Sequence, residues 1–222
     1  QVGEPGNGLV DRQVTRVITP GTVVDEDLLK PESNNYIALA VSNDNIFGLA
    51  YADISTGTLA SCEADRSALL RELSRISARE VLTIGIPPGE INNASPKDDR
   101  PWLVDPIAGR ETLERHFSVR SLEGLGLEGR PLASRTVGAL LRYLEETDES
   151  SLHVLTGVHV YSTTDFMELD GFTRHNLELE LAGREQRPDG SLLDVLDHTH
   201  TPMGARRLRE QLGRPLIDIP RI

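Results

Sequence analysis

The chain has 222 residues, with 35 acidic against 23 basic side chains, a formal net charge of −12 and a single cysteine. Affinity for duplex nucleic acid comes largely from Lys and Arg neutralising phosphates, so a chain this acidic is not expected to hold DNA tightly by itself. No run of 18 apolar residues is present, which argues against a membrane-spanning helix, and Cys62 has no second cysteine for an intrachain disulfide, which suits a reducing cytoplasm.

Residues 1–12 carry Gly3, Pro5, Gly6, Asn7 and Gly8 and read as a turn-rich lead. Arg12 to Thr19 alternates Val14, Val17 and Ile18 with polar residues, a short strand ended by Pro20-Gly21; Asp25 to Lys30 forms a helical turn, and Pro31 to Asn35 a linker. From Tyr36 the pattern changes. Tyr36 to Val41 is a continuous apolar strand, Asn43-Asp44-Asn45 a turn, Ile46 to Ile54 a second strand and Thr58 to Cys62 a third. Asp65 caps a helix whose Leu69, Leu73 and Ile76 recur at i, i+4 and i+7. Val81 to Ile84 is a fourth strand. Gly89 to Arg100 reads as a polar loop, Glu111 to Phe117 as a helix, and Val137, Leu140, Leu141 and Leu144 as the inward stripe of another. A meander of three strands followed by alternating helices and strands predicts an α/β fold with a mixed sheet.

Past Ser150 a short strand, Val158 to Tyr161, leads into helical sequence. Asp170 caps a helix running through Asn176, Leu177 and Leu181, and Gly183 to Gly190 is a loop. Ser191, with Asp194 three residues on, starts a helix bearing Leu192, Leu193 and Leu196; Thr201 caps the next, with Pro202 at its first position and Gly213 and Pro215 closing it. The last 60 residues hold too little apolar surface to close a core alone. The chain, from Gln1 to Ile222, is expected to be an internal piece of a longer protein.

Several features suggest chemistry and have a plainer reading. Gly124-Leu125-Gly126-Leu127-Glu128-Gly129 satisfies the G-x-G-x-x-G phosphate pattern, but it follows a polar stretch rather than a strand and meets Pro131, so it reads as a glycine-rich loop. Asp53 could hold Mg²⁺ for phosphodiester cleavage if Glu63, Asp65, Glu80 or Asp105 joined it; an Asp before Ile-Ser-Thr-Gly more often braces a hairpin. His198 and His200 alternate as Zn²⁺ ligands can, yet two ligands do not make a site, and they read as braces of a helical corner. His116, His153, His159 and His175 are scattered and structural, and Cys62 is a small buried hydrophobe. Only Lys30 and Lys97 are lysines, and neither stands in a Gly-Lys-Ser/Thr phosphate loop. This acid-rich, lysine-poor composition suggests a protein adapted to high salt, where self-repulsion is screened.

Three ordered strings carry a resemblance. Thr15-Arg16-Val17-Ile18-Thr19-Pro20-Gly21-Thr22, Asp53-Ile54-Ser55-Thr56-Gly57 and the run Leu196-Asp197-His198-Thr199-His200-Thr201-Pro202-Met203-Gly204-Ala205-Arg206-Arg207-Leu208 are similar, in that order, to the end of the mismatch-binding domain, the connector domain and the opening of the core (lever) domain of the MutS family. The resemblance implies a ribonuclease-H-like connector at 33–155, preceded by the tail of the mismatch-binding domain at 1–32 and followed at 156–222 by the helical start of an all-α core domain. It further implies a cytoplasmic homodimer that binds mismatched duplex DNA and a MutL-type protein and hydrolyses ATP with Mg²⁺. By the same resemblance, the connector would relay conformational change and offer a docking surface for that partner. This stretch would itself hold no catalytic, cofactor or metal residue. Phe166-Met167-Glu168 imitates the family's Phe-x-Glu wedge but lies far downstream of where the wedge belongs, so Phe166 reads as core filler. The rival readings are a metal-dependent nuclease around Asp53 and an inert spacer.

Overall fold

A computed structural model describes residues 19–23, 29, 31–87, 89–91 and 94–221. The strand expected at 12–19 and the helical turn expected at 25–30 fall almost wholly outside them.

The sheet forms where the apolar runs predicted it. β1 (Ile37–Asn43), β2 (Ile46–Asp53) and β3 (Thr58–Ala64) make an antiparallel meander, with Leu39 opposite Ala50 and Ala50 opposite Ser61. β4 (Glu80–Ile84) lies parallel to β1 on its other side, β5 (Ala94–Pro96) parallel to β4, and β6 (His159–Val160) parallel to β3. The order is β5-β4-β1-β2-β3-β6, a mixed six-stranded sheet. Only three residues, Ala94-Ser95-Pro96, make β5, with no apolar run among them, which is why the segment 89–100 reads as loop in the sequence.

Strand alternation divides the core in two. Ile37, Leu39, Val41, Ala50, Ala52 and Leu82 face α2 (Pro106–Phe117) and α3 (Pro131–Asp148), meeting Leu113, Val137, Leu140, Leu141 and Leu144. Ala38, Ala40, Leu49, Tyr51, Ala60 and Cys62 face α1 (Arg66–Ile76), meeting Ala68, Leu69 and Ile76. α3 lies close against the sheet and against α2: a Cβ on Gly48 would come within 2.1 Å of the Thr136 hydroxyl, and one on Gly138 within 2.7 Å of the Gly109 Cα.

Helix starts follow their caps. Asp65 accepts from Ala68 N at 2.8 Å, and Asp105 from Ile107 N at 2.9 Å and Ala108 N at 3.0 Å, so α2 begins at Pro106 rather than Glu111. Asp170 caps α4 (Gly171–Asn176), which is shorter than its leucine spacing suggested; Glu178 follows with φ of 47°, outside the helical region. α5 (Leu192–Leu196) and α6 (Pro202–Gly213) form the predicted corner, capped by Ser191 and Thr201. Most exposed large hydrophobics lie beyond residue 166, among them Phe172, Val195, Met203 and Ile219. No described helix is long and apolar enough to cross a membrane.

Candidate functional site

Two polar junctions tie neighbouring segments to the sheet. The first surrounds Asp53 at the end of β2, a residue with no exposed surface. One carboxylate oxygen accepts from Asn34 Nδ2 at 2.9 Å and Asn35 N at 3.0 Å; the other accepts from Ser55 N at 2.9 Å and Ser55 Oγ at 2.6 Å. Asn35 in turn donates to Pro20 O and Val23 O, while Gly21 N donates to Glu80 and Glu80 accepts from the Tyr143 hydroxyl of α3 at 3.1 Å. Burial, and then the Glu80 carboxylate, pushes that phenol up to about 12. The described end of the first string is therefore tied to the second through Asn35: the Thr19 to Thr22 turn is held against the sheet end that Asp53 braces.

The carboxylates that a nuclease would gather round Asp53 are separately employed. Glu63 accepts from Leu132 N and Ala133 N at 2.9 Å each and caps α3; Asp65 caps α1; Asp105 caps α2; Glu80 holds Gly21 and Tyr143. Among the described residues no three His, Cys, Asp or Glu side chains come together as a metal-binding group. The same contact settles the glycine-rich loop: it precedes the α3 N-terminus, but Glu63 already occupies the position an anion would take there. His198 and His200 are exposed at the α5–α6 corner, which Asp197 braces by accepting from Thr199 N at 3.0 Å and Thr199 Oγ1 at 2.6 Å. Cys62 is buried in β3, and burial pushes its thiol up to about 12.

The second junction is a seam between the α1 face of the sheet and α6. Tyr161, just past β6, lies 4 % exposed and donates to Glu72 of α1 at 2.5 Å. Arg75, one turn on, donates to Glu72 at 2.8 Å and to the Tyr51 hydroxyl at 3.1 Å. Burial alone would raise the Glu72 carboxyl, but the charge and hydrogen bond of Arg75, with the Tyr161 hydrogen bond and Arg214, together leave it below the usual range. Tyr161 is pushed well up by burial and by Tyr51. Arg214, at the C-cap of α6, lays its guanidinium 4.7 Å from the Tyr161 ring centroid and 4.3 Å from that of Phe166, and donates to Glu210 at 2.9 Å. Backbone pairing fastens the seam: Met167 N donates to Pro215 O at 2.8 Å and Phe166 is bridged to Leu216. Phe166 thus packs, partly buried, against the α1-side core, with the Arg214 guanidinium over its ring.

Beside the seam lies an open cleft of about 530 Å³, walled by Tyr36, Tyr51 and His159 on the sheet side and by Met203, Arg206 and Arg207 of α6. The third sequence string supplies that α6 wall. Sequence reasoning missed the seam because α6 charges look like a solvated face, and Arg214 follows the glycine that stops the helix.

Comparison with known families covers the second and third strings. The family model for MutS domain II matches residues 35–156, and that for MutS domain III matches 172–222. The chain belongs to the MutS family. Curated proteins named DNA mismatch repair protein MutS match along its whole extent: that of Dehalococcoides mccartyi (strain CBDB1) is 42% identical over 98% of this chain and 26% of its own length. Those of Trichormus variabilis and Thermosynechococcus vestitus are 42% and 41% identical over 96% and 100% of this chain, and 27% and 28% of their own lengths. The chain spans about a quarter of the length of the MutS relatives it matches. The seam lies across the interval between the two matched MutS domains, with Tyr161 and Phe166 in that interval, Glu72 and Arg75 in domain II and Arg214 in domain III.

Proposed function

We propose that the chain is the connecting portion of a DNA mismatch repair protein, a ribonuclease-H-like connector at 33–155 that relays conformational change from the tail of the mismatch-binding domain at 1–32 to the core domain opening at 156–222. A three-strand meander with two parallel crossover strands beyond β1 supports the ribonuclease-H-like assignment. The seam carries the relay: Arg214, on the helix that leads onward, is stacked on two rings whose hydroxyl and backbone contacts reach α1 and the sheet, so displacement of α6 must move or break that stack. The Asp53 junction gives the opposite end an equivalent hold on residues 19–23.

In this reading the chain itself catalyses nothing. The whole protein acts as a cytoplasmic dimer on mismatched duplex, binds and hydrolyses ATP with Mg²⁺ outside this stretch, and presents the connector to a MutL-type partner. Arg214→Met in the full-length protein, at unchanged circular dichroism, should leave nucleotide-free affinity for mismatched duplex within about threefold while slowing ATP-driven release from it by tenfold or more. Release kinetics equal to the parent's would sink the relay.

A further inference from the structure

Where α1, α4 and the end of α6 converge, the seam borders a small, partly open cavity of about 20 Å³, room for one water or one ion of similar size. Its charged wall holds four guanidinium groups, of Arg71, Arg75, Arg174 and Arg214, against two carboxylates, of Glu72 and Glu168. Three of those arginines have carboxylate partners: Arg71 with Glu168 at 3.0 Å, Arg75 with Glu72 at 2.8 Å and Arg214 with Glu210 at 2.9 Å. Arg174 has none among the described residues; its Nε and Nη2 donate to the backbone carbonyls of Leu169 and Gly213. Nη1 of Arg174 and Nη1 of Arg214 are buried with no hydrogen-bond acceptor among the described residues, and Arg214 as a whole is only 9% exposed.

We propose that this cavity is a binding site for a small monovalent inorganic anion of chloride size, held by the Nη1 groups of Arg174 and Arg214. Buried N–H groups left without an acceptor are costly, and a buried charge without a counter-charge more so. A water would satisfy the donors; a chloride would satisfy them and also offset the excess of four guanidinium groups over two carboxylates around the cavity. Burial and then the like charge of Arg75 already hold the Arg174 guanidinium below its usual range, which is the direction an anion would relieve. The volume excludes phosphate esters and peptide carboxylates. Such an ion would join α4 to the end of α6 through Arg214, which also stacks on Tyr161 and Phe166, so the strength of the seam would depend on which anion the solution contains. The site stands whether or not the seam relays motion.

Thermal unfolding of the 222-residue chain in sodium chloride, bromide and gluconate at equal ionic strength tests it, gluconate being too large to enter. The chloride-minus-gluconate difference in Tm should be about 3 °C larger for the parent than for Arg174→Met, with bromide behaving as chloride. Comparing differences within each protein cancels the general effect of salt on an acidic chain and the lost backbone hydrogen bonds of the variant. Crystals of the unsubstituted chain grown in bromide should show an anomalous peak beside Arg174 and Arg214, a readout that does not need the variant to fold. An ordered water there without anomalous signal, or an equal chloride advantage in both proteins, would overturn the proposal.

Discussion

Asp53 illustrates how a carboxylate can look catalytic in a sequence and be structural in the fold. Its two oxygens are filled by four donors, two from the segment before β1 and two from Ser55. Asn in its place keeps the size but turns one acceptor into a donor, facing two N–H groups or the Ser55 pair across a buried contact. Asp53→Asn is therefore expected to destabilise the chain by about 1–3 kcal/mol, read as a lower midpoint in urea unfolding with an unchanged slope. Unchanged stability together with loss of a Mg²⁺-dependent nicking activity would make Asp53 a metal ligand instead. The brace was legible in Asp-Ile-Ser-Thr-Gly, since Asp and Ser favour such local hydrogen bonds. Its partners Asn34 and Asn35 were not, because they lie 19 and 18 residues away and nothing in their spacing marks them.

At the scale of elements, legibility followed how local the signal was. β1 to β4, α1, α5 and α6 carry their own apolar periods and side-chain caps, and they form where the sequence placed them. The α2 start was available in Asp105-Pro106, a cap followed by a first-turn proline, and the apolar stripe alone misplaced it by five residues. The α3 start was hidden, because its N-terminal donors are met by Glu63 from β3, 69 and 70 residues earlier in the chain. The α3 face, by contrast, is plain in both: Leu140 is wholly buried between sheet and α2, whereas Pro202 opens α6 with its ring exposed. Leu140→Ala should cost about 2–5 kcal/mol through the cavity it leaves, and Pro202→Ala under about 1 kcal/mol. Two equal and small values in denaturant titrations would place the α3 stripe outside the core.

For the whole molecule, the division of labour between core and seam predicts how it comes apart in acid. The sheet with α2 and α3 is held by apolar packing that pH does not touch, and α6 is joined to it through Glu72, Arg75, Tyr161 and Arg214. The Glu72 carboxyl lies below its usual range in the folded chain because Arg75, Tyr161 and Arg214 together more than offset the burial that would raise it. A depressed folded value means the unfolded chain binds the proton more readily, so this contribution is full above the unfolded value of about 4.3 and is lost as pH falls below it. Asp170 and Asp197, which cap α4 and brace the α5–α6 corner, are lowered too, by their hydrogen bonds with Thr173 and Thr199, so the helical side loses support over the same acid range. Hydrogen-exchange protection of α6 amides should therefore fall before that of the β1–β2 ladder as pH drops from about 5 to 3. Glu72→Gln, which removes the charge at any pH, should reproduce the weakened α6 protection near pH 7 and flatten its acid dependence. Loss of protection in α6 and in the ladder together, with Glu72→Gln unlike the acid state, would mean that the two parts unfold as one unit and that the seam has no independent opening.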